Sequence, residues 1–139
     1  YHFRGTRTVS CTGDHSLVAE LVRKGRLDER GALRHPQRNV LLSCLGSERP
    51  PRIDYGCEEA PIEGDCFLLC SDGLWAHFTE SELASTLQEF PARAAAERLI
   101  ALGRERAGGT GDNISLAVVK LVPVPARDAL TPARSATLR

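Results

Sequence analysis

The sequence lacks the features that mark several specialised classes of protein. Its 18 basic and 18 acidic residues cancel, so no net charge favours nucleic acid or an anionic membrane as a partner. No apolar run approaches the roughly 20 residues that span a bilayer, and no signal peptide is visible. Methionine is absent from all 139 residues, and the first strand pattern is already under way at Tyr1. We therefore expect one soluble domain that is a piece of a longer protein.

Cysteine occurs without a recognisable pairing pattern. No C-x-x-C pair is present among the five cysteines, which are Cys11, Cys44, Cys57, Cys66 and Cys70. An odd number of scattered thiols is typical of a reducing compartment, so we expect a cytoplasmic protein whose thiols are buried. No cluster of Cys and His has the spacing of a zinc site, and the glycine-rich residues 108–111 precede a strand and lack a P-loop lysine. These patterns argue against zinc and nucleotide binding.

The most informative stretch covers residues 66–74 and reads C-F-L-L-C-S-D-G-L. A short apolar run that follows Gly64 and Asp65 predicts a buried strand, with Asp72 at the point where the strand ends. Gly73 has no Cβ, so the backbone can turn sharply there or approach a ligand closely. An equally simple interpretation is that Asp72 only caps the turn into the next helix.

A second aspartate, Asp112, precedes another apolar, β-branched run over residues 114–122. If the two strands are antiparallel neighbours, Asp72 and Asp112 lie at the same edge of the sheet. Like charges that converge in a partly buried place repel, and a hard divalent cation such as Mg²⁺ or Mn²⁺ relieves that repulsion. Asn113 would then support a metal-bound water or ligand. The alternative is that Asp112 and Asn113 only form the turn.

The remaining patterns predict a mixture of strands and helices. Residues 1–4 and 8–11 indicate a hairpin, and Asp14 and Asp28 are candidate N-caps of two helices. Thr79 and Glu82 have the spacing of a capping box, and Pro91 suits the first turn of a further helix to about residue 106. Residues 38–46 and 52–59 indicate two more strands, and we expect His15 to be structural or merely exposed. Residues 123–139 have several prolines and no periodicity, which predicts a flexible C-terminal tail.

Four motifs in order resemble the metal-dependent protein serine/threonine phosphatases, known as the PPM or protein phosphatase 2C family, in its bacterial branch. The motifs read T-G-D-H-S-L-V, H-P-Q-R-N-V-L-L-S-C-L-G, E-G-D-C-F-L-L-C-S-D-G-L-W and G-G-T-G-D-N-I-S-L-A-V-V. The resemblance implies an α+β fold, a sandwich of two antiparallel sheets flanked by helices. It implies hydrolysis of phosphoserine and phosphothreonine on proteins by a water activated by two Mg²⁺ or Mn²⁺ ions. The aspartates of the S-D-G and G-D-N motifs are metal ligands in the family, which here are Asp72 and Asp112.

The same resemblance implies that an N-terminal half of the domain is missing. The family carries there an acidic residue, an arginine that grips the phosphate and a D-G-x-x-G-G motif whose aspartate bridges the metals. We therefore interpret residues 1–122 as the C-terminal portion of a phosphatase domain, inactive alone, with an exposed apolar face or an unpaired sheet edge. The expected partners are that missing half and a phosphoprotein substrate of a partner serine/threonine kinase. The alternatives are an inactive phosphatase-like binding module and an unrelated α/β domain.

Overall fold

The computed structural model describes residues 1–56, 60–109 and 111–123, which contain a four-stranded antiparallel sheet and five helices. In chain order the elements are β1 (His2–Arg4), β2 (Arg7–Ser10), α1 (Leu17–Arg23), α2 (Glu29–Arg34), β3 (Asp65–Cys70), α3 (Asp72–Trp75), α4 (Glu80–Glu89), α5 (Ala92–Ala107) and β4 (Leu116–Lys120). The strand order is β2-β1-β3-β4, and every neighbouring pair is antiparallel. This sheet with its helices corresponds to part of the sandwich that the motifs predict.

The helices cover one face of the sheet and leave the other face open. On β3, Cys66 and Leu68 are buried, whereas Leu69 points to the opposite side and is 61% exposed. The buried face packs with apolar side chains from β1, α3, α4 and α5, which include Phe3, Leu74, Leu83, Leu87 and Leu99. Burial of one such side chain contributes about 1.5–3 kcal/mol, so this layer accounts for most of the stabilising apolar contact.

The helix caps predicted from the sequence are confirmed at α2 and α4, displaced by one residue at α5 and wrong at α1. The Thr79 hydroxyl and the Glu82 carboxylate form the expected capping box at the start of α4. Asp28 caps α2, which ends at Arg34 because His35, the residue before Pro36, disfavours helical backbone. Pro91 lies one residue earlier than expected, as the N-cap of α5. The prediction that Asp14 caps α1 is wrong, since the Ser16 hydroxyl accepts the Ala19 N–H there.

The hairpin of β1 and β2 is confirmed, but the two strands predicted between α2 and β3 are wrong where the structure describes them. Residues 38–46 contain only an isolated bridge between Ser16 and Leu41, and residues 52–56 contain no strand. Residues 57–59 lie outside the described part of the chain. A strand needs a neighbour that accepts its backbone hydrogen bonds, and an apolar run alone does not provide one.

The thiols are less buried than their apolar neighbours suggest. Among the described residues, Cys66 is buried and Cys70 partly buried, but Cys11 and Cys44 are exposed, which corrects the prediction of buried thiols. Burial raises the pKa of Cys66 and Cys70, so both thiols stay protonated at neutral pH. The predicted C-terminal tail falls outside the described residues from position 124 onward. No helix in the described ranges has the length and apolar character that crossing a bilayer requires.

Candidate metal centre

The register of β3 and β4 brings the two predicted aspartates to one end of the sheet. The strands are antiparallel, and Cys70 at the end of β3 pairs with Leu116 at the start of β4. Asp72 follows β3 by two residues and Asp112 precedes β4 by four. The condition set out from the sequence, antiparallel neighbouring strands, is therefore met.

Ser71 joins the two loops by three hydrogen bonds. Its N–H donates to the Ser115 carbonyl at 3.0 Å, and its hydroxyl donates to the Asn113 carbonyl at 2.9 Å. The Ser115 N–H donates to the Ser71 hydroxyl oxygen at 3.1 Å. The backbone after β3 is thereby held against the backbone before β4, and the distance between the two loops is constrained.

Gly73 permits this close approach because it has no side chain. A Cβ placed on Gly73 would lie 2.4 Å from the Asn113 carbonyl oxygen and 3.1 Å from the carbonyl carbon of Asp112. Real Cβ atoms essentially never come within 3.0 Å of such an atom, so any other residue here would push the loops apart. Gly73, expected from the sequence to allow a close approach of the backbone, therefore lies against Asn113, expected to support a metal-bound water or ligand.

Each aspartate is oriented by the N–H of the residue that follows it. Asp72 Oδ1 accepts the Gly73 N–H at 2.9 Å, and Asp112 Oδ1 accepts the Asn113 N–H at 2.7 Å. Both side chains are solvent-exposed. The carboxylates are therefore fixed by one oxygen each at an accessible edge of the sheet, where a cation can reach them.

A third carboxylate, that of Asp14, approaches this edge from the loop between β2 and α1. Loss of hydration raises the pKa of Asp14, and the negative charge of Asp72 raises it further. Asp14 was not predicted as a site residue, because its place before a helical pattern indicated helix capping. Asp14 and Ser16 both precede α1, and both residue types can cap a helix. Because a helix needs only one N-cap, the sequence contained a hint that one of the two had another role.

His15, next to Asp14, is engaged with a different carboxylate. Its Nε2 lies 2.8 Å from Asp54 Oδ2, and the Arg52 Nε donates to Asp54 Oδ1 at 3.0 Å. The hydrogen bond from His15 is the main reason that the pKa of Asp54 is lowered. This contact joins the loop before α1 to the segment after residue 50, which supports the structural role predicted for His15.

The donor set fits a hard cation that keeps part of its water shell. Mg²⁺ is usually bound through one or two carboxylates and retains several waters, and Mn²⁺ prefers the same oxygen ligands. Within residues 1–56, 60–109 and 111–123, no three His, Cys, Asp or Glu side chains are grouped closely enough to hold a metal. The described chain thus provides a pair of oriented carboxylates with Asp14 nearby, and further ligands would have to come from elsewhere.

Comparison with known proteins identifies the class to which this arrangement belongs. No family model matches the sequence. A serine/threonine phosphatase of Listeria monocytogenes is 35% identical over 111 residues, which cover 78% of this chain and 42% of that protein. The serine/threonine phosphatase of S. agalactiae superposes with a TM-score of 0.77 at 35% identity, covering 86% of this chain and 49% of that one.

A further solved structure is the catalytic domain of the serine/threonine protein phosphatase PstP in complex with two manganese ions. It matches with a TM-score of 0.71 at 30% identity, over 88% of this chain and 49% of that one. The chain is therefore related to the PPM-type serine/threonine phosphatases, which confirms the resemblance seen in its motifs. It spans about half the length of the curated relatives that it matches.

Proposed function

We propose that the chain is the C-terminal half of a metal-dependent phosphatase that hydrolyses phosphoserine and phosphothreonine on proteins. The observation that carries the proposal is the joined pair of loops after β3 and before β4, in which Ser71 and Gly73 hold the loop of Asp72 against the loop of Asp112. Relatives along most of the chain are serine/threonine phosphatases, which supports the assignment of this edge as part of an active site.

Asp72 and Asp112 would bind Mg²⁺ or Mn²⁺, and a PPM-type relative with two manganese ions supports a binuclear centre. Such ions lower the pKa of a bound water and offset the negative charge of the phosphate. The N–H groups of Gly73 and Asn113 keep one oxygen of each carboxylate in place. Asp14 adds negative charge beside Asp72, which favours binding of a cation there.

We further propose that an N-terminal half of the domain supplies the remaining ligands and covers the open face of the sheet. Leu69 and Val119 on that face are 61% and 52% exposed, and exposed apolar side chains of this kind mark interfaces when they form a large patch. The same half would cover Leu41 and Leu42, which lie on the segment that returns beside Ser16. Without it, this chain holds two oriented ligands, so we expect weak metal binding and no turnover from it alone.

The physiological setting belongs to the same proposal. The substrate would be a protein phosphorylated by a partner serine/threonine kinase, since kinases of that class generate phosphoserine and phosphothreonine. The cysteines in the described residues are all free, two of them exposed, which supports a reducing, cytoplasmic location. Residues 1–122 would form the domain portion and residues 123–139 an appended tail.

The alternative function is a phosphatase-like module that binds a partner without catalysis. The exposed apolar surface is compatible with such binding. Both aspartates are nevertheless present and oriented, whereas a module that needs no metal has no physical reason to keep two acidic side chains at one edge.

The deciding experiment measures Mn²⁺ binding by calorimetry and hydrolysis of a phosphothreonine peptide, with this chain alone and joined to the upstream half of its parent. Wild type is compared with Asp72→Ala, Asp112→Ala and the control Glu89→Ala, which removes an exposed carboxylate from α4. We expect turnover only with the upstream half, and a loss of about 100-fold or more in both aspartate variants, because a metal supplies several kcal/mol of charge stabilisation. If the complete protein hydrolyses nothing and both variants bind Mn²⁺ as wild type does, the binding module is the better interpretation.

A further inference from the structure

Residues 17–40 form a lobe that leaves the fold and returns to it beside the candidate metal centre. The Leu17 N–H donates to the Val40 carbonyl at 2.9 Å, and the Leu42 N–H donates to the His15 carbonyl at 2.7 Å. The lobe contains α1 and α2 and is closed by the bridge between Ser16 and Leu41. Both of its ends therefore lie next to the loop that carries Asp14.

The lobe is strongly basic in a chain that is neutral as a whole. Between positions 17 and 40 there are six basic residues and three acidic ones. The rest of the chain then holds twelve basic and fifteen acidic residues, since the totals are 18 of each. Positive charge is thus concentrated in the segment whose two ends lie beside the site.

Part of this charge has no internal partner. Elsewhere in the structure, Arg4 pairs with Asp65 and Arg106 pairs with Glu82. Within the lobe, Arg23 and Lys24 share Glu20, but Arg26, Arg30 and Arg34 are exposed and form no ion pair with any described residue.

Arg30 and Arg34 are one turn apart on α2, so both side chains lie on the same face of that helix. Like charges at this spacing repel each other. A bound anion would relieve that repulsion, and two adjacent guanidinium groups are well suited to carboxylates.

We propose that the 17–40 lobe docks an acidic stretch of the protein substrate that flanks the phosphorylated residue. The proposal rests on the function proposed above. The seven residues of α1 span about 10 Å at 1.5 Å per residue. An extended peptide covers about 3.3–3.6 Å per residue, so about three residues of a bound peptide match the length of α1. Exposed charge pairs are individually weak and screened by salt, so the lobe selects substrates and leaves the chemistry to the metal centre.

The test is a binding measurement that needs neither metal nor turnover. Fluorescence anisotropy compares a labelled phosphothreonine peptide carrying four flanking Asp and Glu residues with the same peptide carrying Gln and Asn. The variant Arg30→Gln/Arg34→Gln removes two lobe charges, Arg30→Lys/Arg34→Lys keeps them, and Arg7→Gln/Arg93→Gln removes two charges outside the lobe. Circular dichroism checks that each variant is folded.

We expect wild type to prefer the acidic peptide, and the Gln variant of the lobe to bind it about three- to tenfold more weakly. The Lys variant and the Arg7→Gln/Arg93→Gln control should keep most of the preference, which should disappear near 1 M salt, where the Debye length is about 3 Å. Asp72→Ala should retain the preference, so loss of the metal centre and loss of docking can be told apart.

Three results would overturn the proposal: no preference for the acidic peptide, an equal loss in the lobe variant and the control variant, or tighter binding of single-stranded RNA of equal charge that the lobe variant specifically loses. The last result would make nucleic acid the partner of the lobe. None of them would bear on the metal centre.

Discussion

Two regions of the chain both carry apolar side chains but use them differently. The sheet and its covering helices α4 and α5 bury Leu68, Leu83 and Leu99 completely or nearly so. The segment from 35 to 56 exposes Val40, Leu41, Leu42, Leu45, Ile53 and Tyr55. The difference lies in the partners, because a side chain is removed from water only where a second layer of structure faces it.

The largest expected difference between the two regions comes from truncating one leucine to alanine in each. Leu99→Ala on α5 should lower the free energy of unfolding by about 2–5 kcal/mol, because it creates a cavity in a fully buried layer. Leu45→Ala, at a side chain that is 89% exposed, should change it by no more than about 0.5 kcal/mol. Urea denaturation followed by circular dichroism measures both values.

If Leu99→Ala and Leu45→Ala lower the free energy of unfolding equally, the 35–56 segment is packed in solution. The comparison between the two regions would then be wrong. A change in the urea m-value of Leu45→Ala, without a change in midpoint, would point instead to an altered unfolded state.

Prediction from sequence succeeded in the packed region and failed in the exposed segment. Helix α4 was predictable because its capping box and its apolar positions at Leu83 and Leu87 are local signals that agree with each other. Residues 38–46 carry an equally apolar run but no neighbouring strand in the described structure, and the pattern of one segment does not reveal which segment will pair with it. Long-range pairing was therefore the information that the sequence pattern did not contain.

The candidate site was predictable for the residues that end strands. Asp72 follows one strand and Asp112 precedes another. If the two strands are antiparallel neighbours, both carboxylates lie at the same edge of the sheet, and the sequence therefore indicated this pair. Asp14 was not indicated, since its approach to Asp72 depends on the path of a loop with no regular structure. Ser71 was likewise missed as the residue that joins the loops, because its partners Asn113 and Ser115 are more than forty positions away.

A smaller effect is expected from adding one methyl group to a glycine in each region. Gly73→Ala places a Cβ against the Asn113 carbonyl, so it should cost about 1–3 kcal/mol of stability and weaken Mn²⁺ binding by displacing the Asp112 loop. Gly56→Ala meets no atom within 4 Å and has no positive φ, so it should be neutral or stabilising by up to about 1 kcal/mol. Thermal unfolding and calorimetry with Mn²⁺ measure the two effects. If Gly73→Ala leaves both unchanged, the loops are not held as closely as the hydrogen bonds of Ser71 indicate.

The smallest effect concerns one hydroxyl group in each region. The Thr79 hydroxyl caps α4 by accepting the Glu82 N–H, and Thr79→Ala should cost about 1 kcal/mol because that N–H loses its partner at the helix end. The Ser47 hydroxyl lies within hydrogen-bond distance of the Cys44 and Arg49 carbonyls and has one proton to donate to either of them. It lies in an exposed loop, where water can replace it, so Ser47→Ala should cost no more than about 0.5 kcal/mol. Both are measured from the midpoint of urea unfolding, with Thr79→Ser as the variant that keeps the cap. If Ser47→Ala lowers the free energy of unfolding as much as Thr79→Ala does, the loop around Ser47 is as ordered as the first turn of α4.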